Sequence, residues 1–283
     1  MVGDKHRLRF GKTDALRLLS HHDLMRCCER MLRRADLPFK MTAGFHPMPR
    51  WVFALSLPLG VVGRNEVVEL ELTDPLDSDD VLRRLREQSP AGLTFTRCDV
   101  VPLKATAVPR RAVYTLHLSG PDFVGRAESA KPDTPPDGLS GFAEPQPDLQ
   151  DAVAALLAEP AVWLDKTHPK PRRVNVRPYI RGLAVTADAV TLDLWVTGQG
   201  GVRAEALLKR LGLAAVLAAG AVLERTDLEI TDEVPPGATD APPSGPPETL
   251  PLTHPPAADA GDDPHPAPTA GTWGLSPAGP EVE

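Results

Sequence analysis

Hydrophobic periodicity along this chain changes in a fixed order, and the order occurs twice. In the first 120 residues, Arg7-Leu8-Arg9-Phe10 alternates as a strand does. Ser20 then opens a helical pattern in which Leu24, Cys28, Met31 and Ala35 share one face, with Cys27 beside them and Asp23 as the partner of a capping box. Asp36-Leu37-Pro38 ends it. Trp51, Phe53, Leu55 and Leu57 alternate, and Val68, Leu70 and Leu72 alternate again after a turn. Asp77 or Ser78 caps a second helix carrying Val81, Leu82 and Leu85, Gly92 stops it, and Leu93 to Val101 closes the set. The later run reads the same way. Val113 to Leu118 is a strand, and Asp148 opens a helix with Val153, Leu156 and Leu157 inward. Val174 to Val185 is extended, with Pro178 placing it at an edge, and Val190 to Val196 alternates. Arg203 to Leu211 is a short helix, and Leu223 to Ile230 is the last strand.

The βαββαβ order is the ferredoxin-like plan. The expected fold is therefore α+β: two tandem ferredoxin-like units with antiparallel sheets, with a single larger α+β sheet as the competing architecture. The expected divisions are 1–120 for the first unit, 121–147 for a flexible Pro-rich insertion, 148–231 for the second unit and 232–283 for a disordered tail. The tail holds 14 of the 32 prolines, nine acidic residues and no Lys or Arg, too little apolar surface to offset the entropy of ordering. Trp273 is its one large aromatic residue.

The net charge of −7 belongs to that tail. Residues 1–231 carry 31 basic against 29 acidic residues. Within them, 1–50 hold 11 Lys or Arg against five acidic residues, and Trp163 to Arg181 holds six against one. Arg26, Arg30, Arg33 and Arg34 lie on the polar face of the first helix, where they make either an anion-binding surface or a solvated one. Arg7 and Arg9 can pair across the sheet with Glu69 and Glu71. Three cysteines, Cys27, Cys28 and Cys98, exclude a disulfide framework and a four-cysteine zinc site, and offer no triplet for an iron–sulfur cluster. No apolar run reaches the roughly 20 residues of a membrane helix, and Met1 to Leu8 is charged where a signal peptide is apolar, so a cytoplasmic location is expected.

Chemistry-bearing residues gather in two places. Ser20, His21, His22 and Asp23 stand at a helix start, where a histidine can act as a general acid or base and where polar residues also serve as caps. Gly44-Phe45-His46-Pro47-Met48-Pro49-Arg50 is a proline-stiffened loop that holds His46 and Arg50 out as a binding platform, or merely leads into a strand. Its counterpart, His168-Pro169-Lys170-Pro171-Arg172, precedes the expected matching strand of the second unit and hints at duplication. Gly198-Gln199-Gly200-Gly201 lacks the Lys-Ser/Thr of a phosphate loop and reads as a turn. The histidines show no ligand spacing for a metal hydrolase.

Several of these segments, taken together, resemble a known family. Arg7-Leu8-Arg9-Phe10-Gly11-Lys12, Leu18-Leu19-Ser20-His21-His22-Asp23-Leu24-Met25, Glu29-Arg30, Arg33-Arg34-Ala35, Gly44 to Arg50 and Leu57-Pro58-Leu59-Gly60 are similar to the DUF2344, or radical-SAM-linked, family over about residues 5–103. Val174-Asn175-Val176-Arg177-Pro178-Tyr179-Ile180 looks like its second-half motif. The resemblance implies a standalone accessory or substrate-handling module for a radical SAM protein encoded nearby. That partner is implied to use S-adenosylmethionine and an iron–sulfur cluster, with no cofactor in this chain. At position 46 many relatives carry Asn, so the resemblance gives His46 no obligatory catalytic role.

The expected function is a non-catalytic partner of a radical SAM enzyme, binding through Ser20, His21, Asp23, Gly44, Phe45, His46, Pro47, Pro49 and Arg50. Lys170, Arg172, Arg173 and Arg177 would line the matching edge of the second unit. No catalytic or metal-ligating residue is assigned. The alternative is an RNA-binding protein, gripping phosphates through Arg26, Arg30, Arg33 and Arg34, with His21 as a candidate base.

Overall fold

The computed structural model describes residues 3–118, 147–167 and 170–252. In chain order the elements are β1 (Lys5–Lys12), α1 (His21–Arg34), β2 (Trp51–Phe53), β3 (Val62–Glu71), α2 (Ser78–Gln88), β4 (Leu93–Val101) and β5 (Pro109–His117). They continue with α3 (Pro147–Ala158), β6 (Trp163–Lys166), β7 (Arg172–Asn175), β8 (Ile180–Val185), β9 (Ala189–Trp195), α4 (Ala204–Arg210), α5 (Ala214–Ala218), β10 (Leu223–Ile230) and β11 (Thr249–Pro251).

One eight-stranded sheet takes strands from both halves, in the order β4-β1-β3-β10-β5-β9-β8, with β2 also on β3. Every pairing in it is antiparallel except β10 with β3, where Glu224 lies opposite Val62 and Arg225 opposite Gly63. The class is mixed α+β with mostly antiparallel sheets, as expected. The first half contributes β4-β1-β3-β2 and the second β10-β5-β9-β8, so in each the fourth, first, third and second strands of the half are neighbours. A separate three-stranded sheet, β11-β7-β6, holds the remainder.

The elements follow from the residues. Ser20 caps α1: the Asp23 backbone N–H donates to its Oγ at 3.2 Å, and its hydroxyl donates to Asp23 Oδ2 at 2.7 Å. Leu24, Cys28, Met31 and Leu32 then meet Leu8, Phe10, Val68, Leu70 and Phe95 in the core of the first half. Asp77 caps α2 by accepting from the N–H groups of Asp79 and Asp80. The core of the second half packs Val153 and Leu156 of α3 and Leu207 and Leu208 of α4 against Ala112, Leu116, Leu192 and Leu194.

Five sequence expectations are corrected. The second strand stops at Phe53 and does not reach Leu57, because the Leu55 and Ser56 carbonyls accept from Arg225. Val174 to Val185 is not one strand. Asn175 Oδ1 accepts from the N–H groups of Val162 and Arg177 and turns the chain, and Pro178 sits in a 3₁₀ turn over Arg177–Tyr179. Gly212, at φ +81°, ends α4, and a second short helix follows where none was expected. His168-Pro169-Lys170-Pro171-Arg172 leads into β7 of the small sheet. The strand in the position equivalent to β2 is β8, so the two proline segments are not at matching places; His168 and Pro169 lie outside the described residues. The tail is placed over residues 232–252: it lies on the sheet through Asp232, Glu233 and Asp240, and β11 pairs with β7. Residues 253–283, Trp273 included, and the insertion expected at 121–147, except Pro147, lie outside the described residues. Among the described residues no helix is long and apolar enough to cross a membrane.

Candidate functional site

Residues 40–50 form a projecting hairpin at the entry to β2. Arg50 N–H donates to the Lys40 carbonyl at 2.7 Å, Thr42 N–H to the Met48 carbonyl at 2.7 Å, and Met48 N–H to Thr42 Oγ1 at 2.9 Å. Gly44 takes a φ of +124°, a conformation that a side chain would resist, and so reverses the chain. Pro49 is buried at the base, while Gly44, Phe45, His46 and Pro47 are all exposed at the tip. Phe45 is 101% exposed: its whole ring stands in solvent. Arg50 is not free to greet a ligand. Its guanidinium reaches both carboxylate oxygens of Glu71 at 3.1 Å, and Lys40 shares that carboxylate at 3.3 Å.

The start of α1 lies elsewhere on the first half. Ser20 and Asp23 satisfy each other, and Arg26 approaches Asp23 at 3.6 Å. His21 is half-buried with its ring edge-on to Phe53 at 5.4 Å. Burial, with the neighbouring His22 and Lys12 charges, pushes its pKa below the ordinary value, so it is neutral at neutral pH.

Beneath this turn the structure gathers residues that sequence reasoning missed. Lys12 is buried and donates to the Leu19 carbonyl at 3.0 Å. Burial pulls its pKa down and the Glu66 carboxylate partly restores it. Glu66 in turn holds Arg225, which is 1% exposed. The Arg225 guanidinium donates to both Glu66 oxygens, to the Leu55 and Ser56 carbonyls at 3.2 Å each and to the Tyr114 hydroxyl at 3.4 Å. Burial opposes the Arg225 charge, and Glu66 overcomes it, so the guanidinium pKa is raised. This pair sits where β3 meets β10 and joins the two halves. A Cβ at Gly63 would lie 2.6 Å from Glu66 Cγ, so a side chain there would push Glu66 away from Arg225. The sequence carries little signal for the pair: Glu66 shares a strand face with Val68 and Leu70, but Arg225 alternates with Asp227 and Glu229 and stands out from nothing.

The second-half candidates are scattered. Lys170, Arg172 and Arg173 are exposed at β7, with Arg173 paired to Asp165 at 2.9 Å. Arg177 turns inward and donates to the Ile180 and Leu157 carbonyls at 3.2 and 3.0 Å. These residues belong to the small sheet and its following turn. Among the described residues no hydrogen bond or ion pair connects them to His46 or Arg50.

On α1, Arg26, Arg30, Arg33 and Arg34 are exposed as expected, yet three of them are engaged. Arg26 has Asp23, Arg33 has Glu29 at 2.9 Å and the Phe39 ring at 5.6 Å, and Arg34 donates to the Gln88 carbonyl at 3.0 Å. Arg7 pairs with Glu69 at 2.8 Å, whereas Arg9 faces Val67 across the ladder and finds no Glu71; Glu71 lies opposite Lys5. Gly200 belongs to a turn in which its N–H donates to Thr197 Oγ1 at 2.9 Å. Cys28 is buried in the core, and burial pushes the Cys98 thiol up to about 12, so neither is a nucleophile at neutral pH. Among the described residues no group of three or more His, Cys, Asp or Glu is placed to hold a metal ion.

Comparison with curated proteins yields no match. A solved structure named "Putative Chlorite dismutase" is 10% identical, covering 82% of this chain and 96% of its own, at a TM-score of 0.18, too low to bear on the fold. The profile of a family described as an uncharacterized protein conserved in bacteria, DUF2344, matches residues 5–204. With two thirds of its length under that profile, the chain belongs to the DUF2344 family.

Proposed function

We propose that this protein is a non-catalytic accessory or substrate-binding partner of a radical SAM enzyme, and that it docks through the hairpin of residues 40–50. The observation that carries the reading is Phe45, an aromatic ring wholly in solvent on a stiff tip. A ring of that size left in water has an unsatisfied apolar surface, and aromatic anchors of this kind dominate binding energy at interfaces. The hairpin is held by three backbone-directed hydrogen bonds and two prolines, so docking it costs little ordering entropy. The identity of the partner follows from the family resemblance. S-adenosylmethionine and the iron–sulfur cluster are assigned to that partner, and the location is assigned to the cytoplasm.

The finer architecture belongs to the same reading. Each half repeats one strand order, which is that of a ferredoxin-like unit, and we read the β6–β7 hairpin as an insertion in the second. Ser20 and Asp23 then fix the start of α1 with His21 beside them, apart from the hairpin, and Lys170, Arg172 and Arg173 offer a second, cationic contact on the small sheet.

Co-expression with the radical SAM protein encoded beside this chain tests the docking. The full chain is expected to co-purify with it, and Phe45→Ala is expected to weaken the complex by more than about tenfold. A complex unaffected by Phe45→Ala and by Gly44→Pro contradicts the hairpin. A chain that never co-purifies with that protein contradicts the partnership.

A further inference from the structure

We infer that the helix-free face of the large sheet binds a single-stranded polynucleotide, and that the acidic segment 232–240 covers this face as an internal competitor. The inference is independent of docking by the hairpin. Along β1, Leu8 and Phe10 face the helices, so Arg7 and Arg9 point to the opposite side. Along β9, Leu192 and Leu194 face the core, so Asp193 and Trp195 point to that same opposite side. Beyond β10 the chain crosses this surface from one half to the other. Asp232 pairs with Arg7 at 3.0 Å and Glu233 with Arg9. Farther on, Asp240 pairs with Arg181 at 2.6 Å and with Arg110 at 3.5 Å, and Arg110 also donates to its carbonyl.

The segment is a 3₁₀ turn over Thr231–Glu233 followed by a turn closed by the Ala238 N–H on the Pro235 carbonyl, and it sets carboxylates at its two ends over a row of guanidiniums. The phosphates of a single strand can meet the same guanidiniums in their place. The sheet's own Glu69, Asp193, Asp227 and Glu229 answer part of the positive charge, and the segment adds three more carboxylates. Its three carboxylates stay partly exposed while Arg7, Arg9 and Arg110 beneath them are nearly buried, so the cover is held by solvent-screened pairs that a denser polyanion can replace.

Two features favour a polynucleotide over an acidic peptide. The Trp195 ring is buried with two guanidiniums over it, Arg110 at 5.0 Å and Arg181 at 5.6 Å, and these planar groups can stack on bases once the segment leaves them. Beside Glu233 an open cleft of about 330 Å³, lined by Arg9, Asn65, Thr96 and Arg97 together with Asp227, Leu228 and Glu229, offers hydrogen-bonding groups next to the guanidinium row.

The test uses the full chain and a short fluorescein-labelled oligouridylate, read by anisotropy. The triple variant Asp232→Asn, Glu233→Gln, Asp240→Asn is expected to bind about tenfold more tightly than the wild type. The gain should collapse as salt rises from about 50 to 200 mM, and adding Arg181→Glu should abolish it. An oligothymidylate of equal length shows whether the surface prefers RNA or accepts either backbone. Equal affinity for the folded triple variant and the wild type overturns the inference, and so does a gain that ignores salt. Should the triple variant fail to fold, Asp240→Asn alone must still give a smaller gain of the same sign; no gain there overturns it equally.

Discussion

At the scale of single residues, the pair Glu66–Arg225 is where the energy is most concentrated. Both side chains are buried, and their charges are answered by each other, by Lys12 near Glu66, and by two carbonyls and one hydroxyl around Arg225. Removing one partner strands the other in a dry site. Glu66→Ala is therefore expected to cost about 3–5 kcal/mol, read as a lower urea midpoint. The double variant Glu66→Gln, Arg225→Met should cost clearly less than the sum of the two single changes, because it leaves no uncompensated charge. Additive losses would mean that the pair does not act as a unit. Histidine sets the response to acid. Burial lowers the pKa of both His6 and His21 below the ordinary 6.5. Between the folded value and 6.5 the unfolded chain binds more protons, so stability is whole above 6.5 and is lost as pH falls below it. His21→Gln should flatten that part of the unfolding free-energy curve. An unchanged slope would show that His21 takes its proton as readily in the fold as in the unfolded chain.

At the scale of elements, the sequence spoke clearly wherever a period and a cap coincide. α1 begins at Ser20 and α2 at Asp77 because capping oxygens precede apolar faces at helical spacing. Ser20→Ala should cost about 1 kcal/mol. The reading failed where side chains from distant segments decide. Nothing local to Leu55 or Ser56 says that their carbonyls will be taken by Arg225, 170 and 169 residues away. Likewise the break after β7 depends on Asn175, whose carboxamide accepts from Val162 and Arg177 and donates to Glu248 at 3.2 Å. Asn175→Ala would orphan a buried N–H and loosen the anchor of β11. A loss of about 2 kcal/mol is expected, with faster hydrogen exchange at Thr249 and Leu250. The hairpin is the opposite case: Gly44, Pro47 and Pro49 announce a stiff turn, and the structure adds that Phe45 is left bare at its tip and that Arg50 is engaged with Glu71. Phe45→Ala should leave the thermal midpoint of the isolated protein unchanged, since the ring packs on nothing.

At the scale of the molecule, one sheet carries both halves, and the parallel contact of β3 with β10 is the seam. Periodicity found the strands of the large sheet, though it missed β6 and β11 and ran β7 into β8, and it could not choose between two sheets and one, because edge-to-edge joining is set by the buried pair at the seam and leaves no periodic trace. The first part of the tail, residues 232–252, was misjudged for a related reason. Its composition cannot form a core, yet its carboxylates find arginines on a surface built by residues far away in sequence. The candidate site divides accordingly. Its hairpin was legible, its supporting charges Lys12, Glu66 and Arg225 were not, and among the described residues the cationic residues of the second half share no bond with it. The hairpin is the surface we propose to dock a radical SAM enzyme. Hydrogen–deuterium exchange of the full chain, with and without a candidate radical SAM partner, measures this directly. Protection concentrated on residues 40–50 is the predicted result. Protection confined to other segments, with the N–H groups of Thr42 and Met48 exchanging as they do in the free chain, would contradict it.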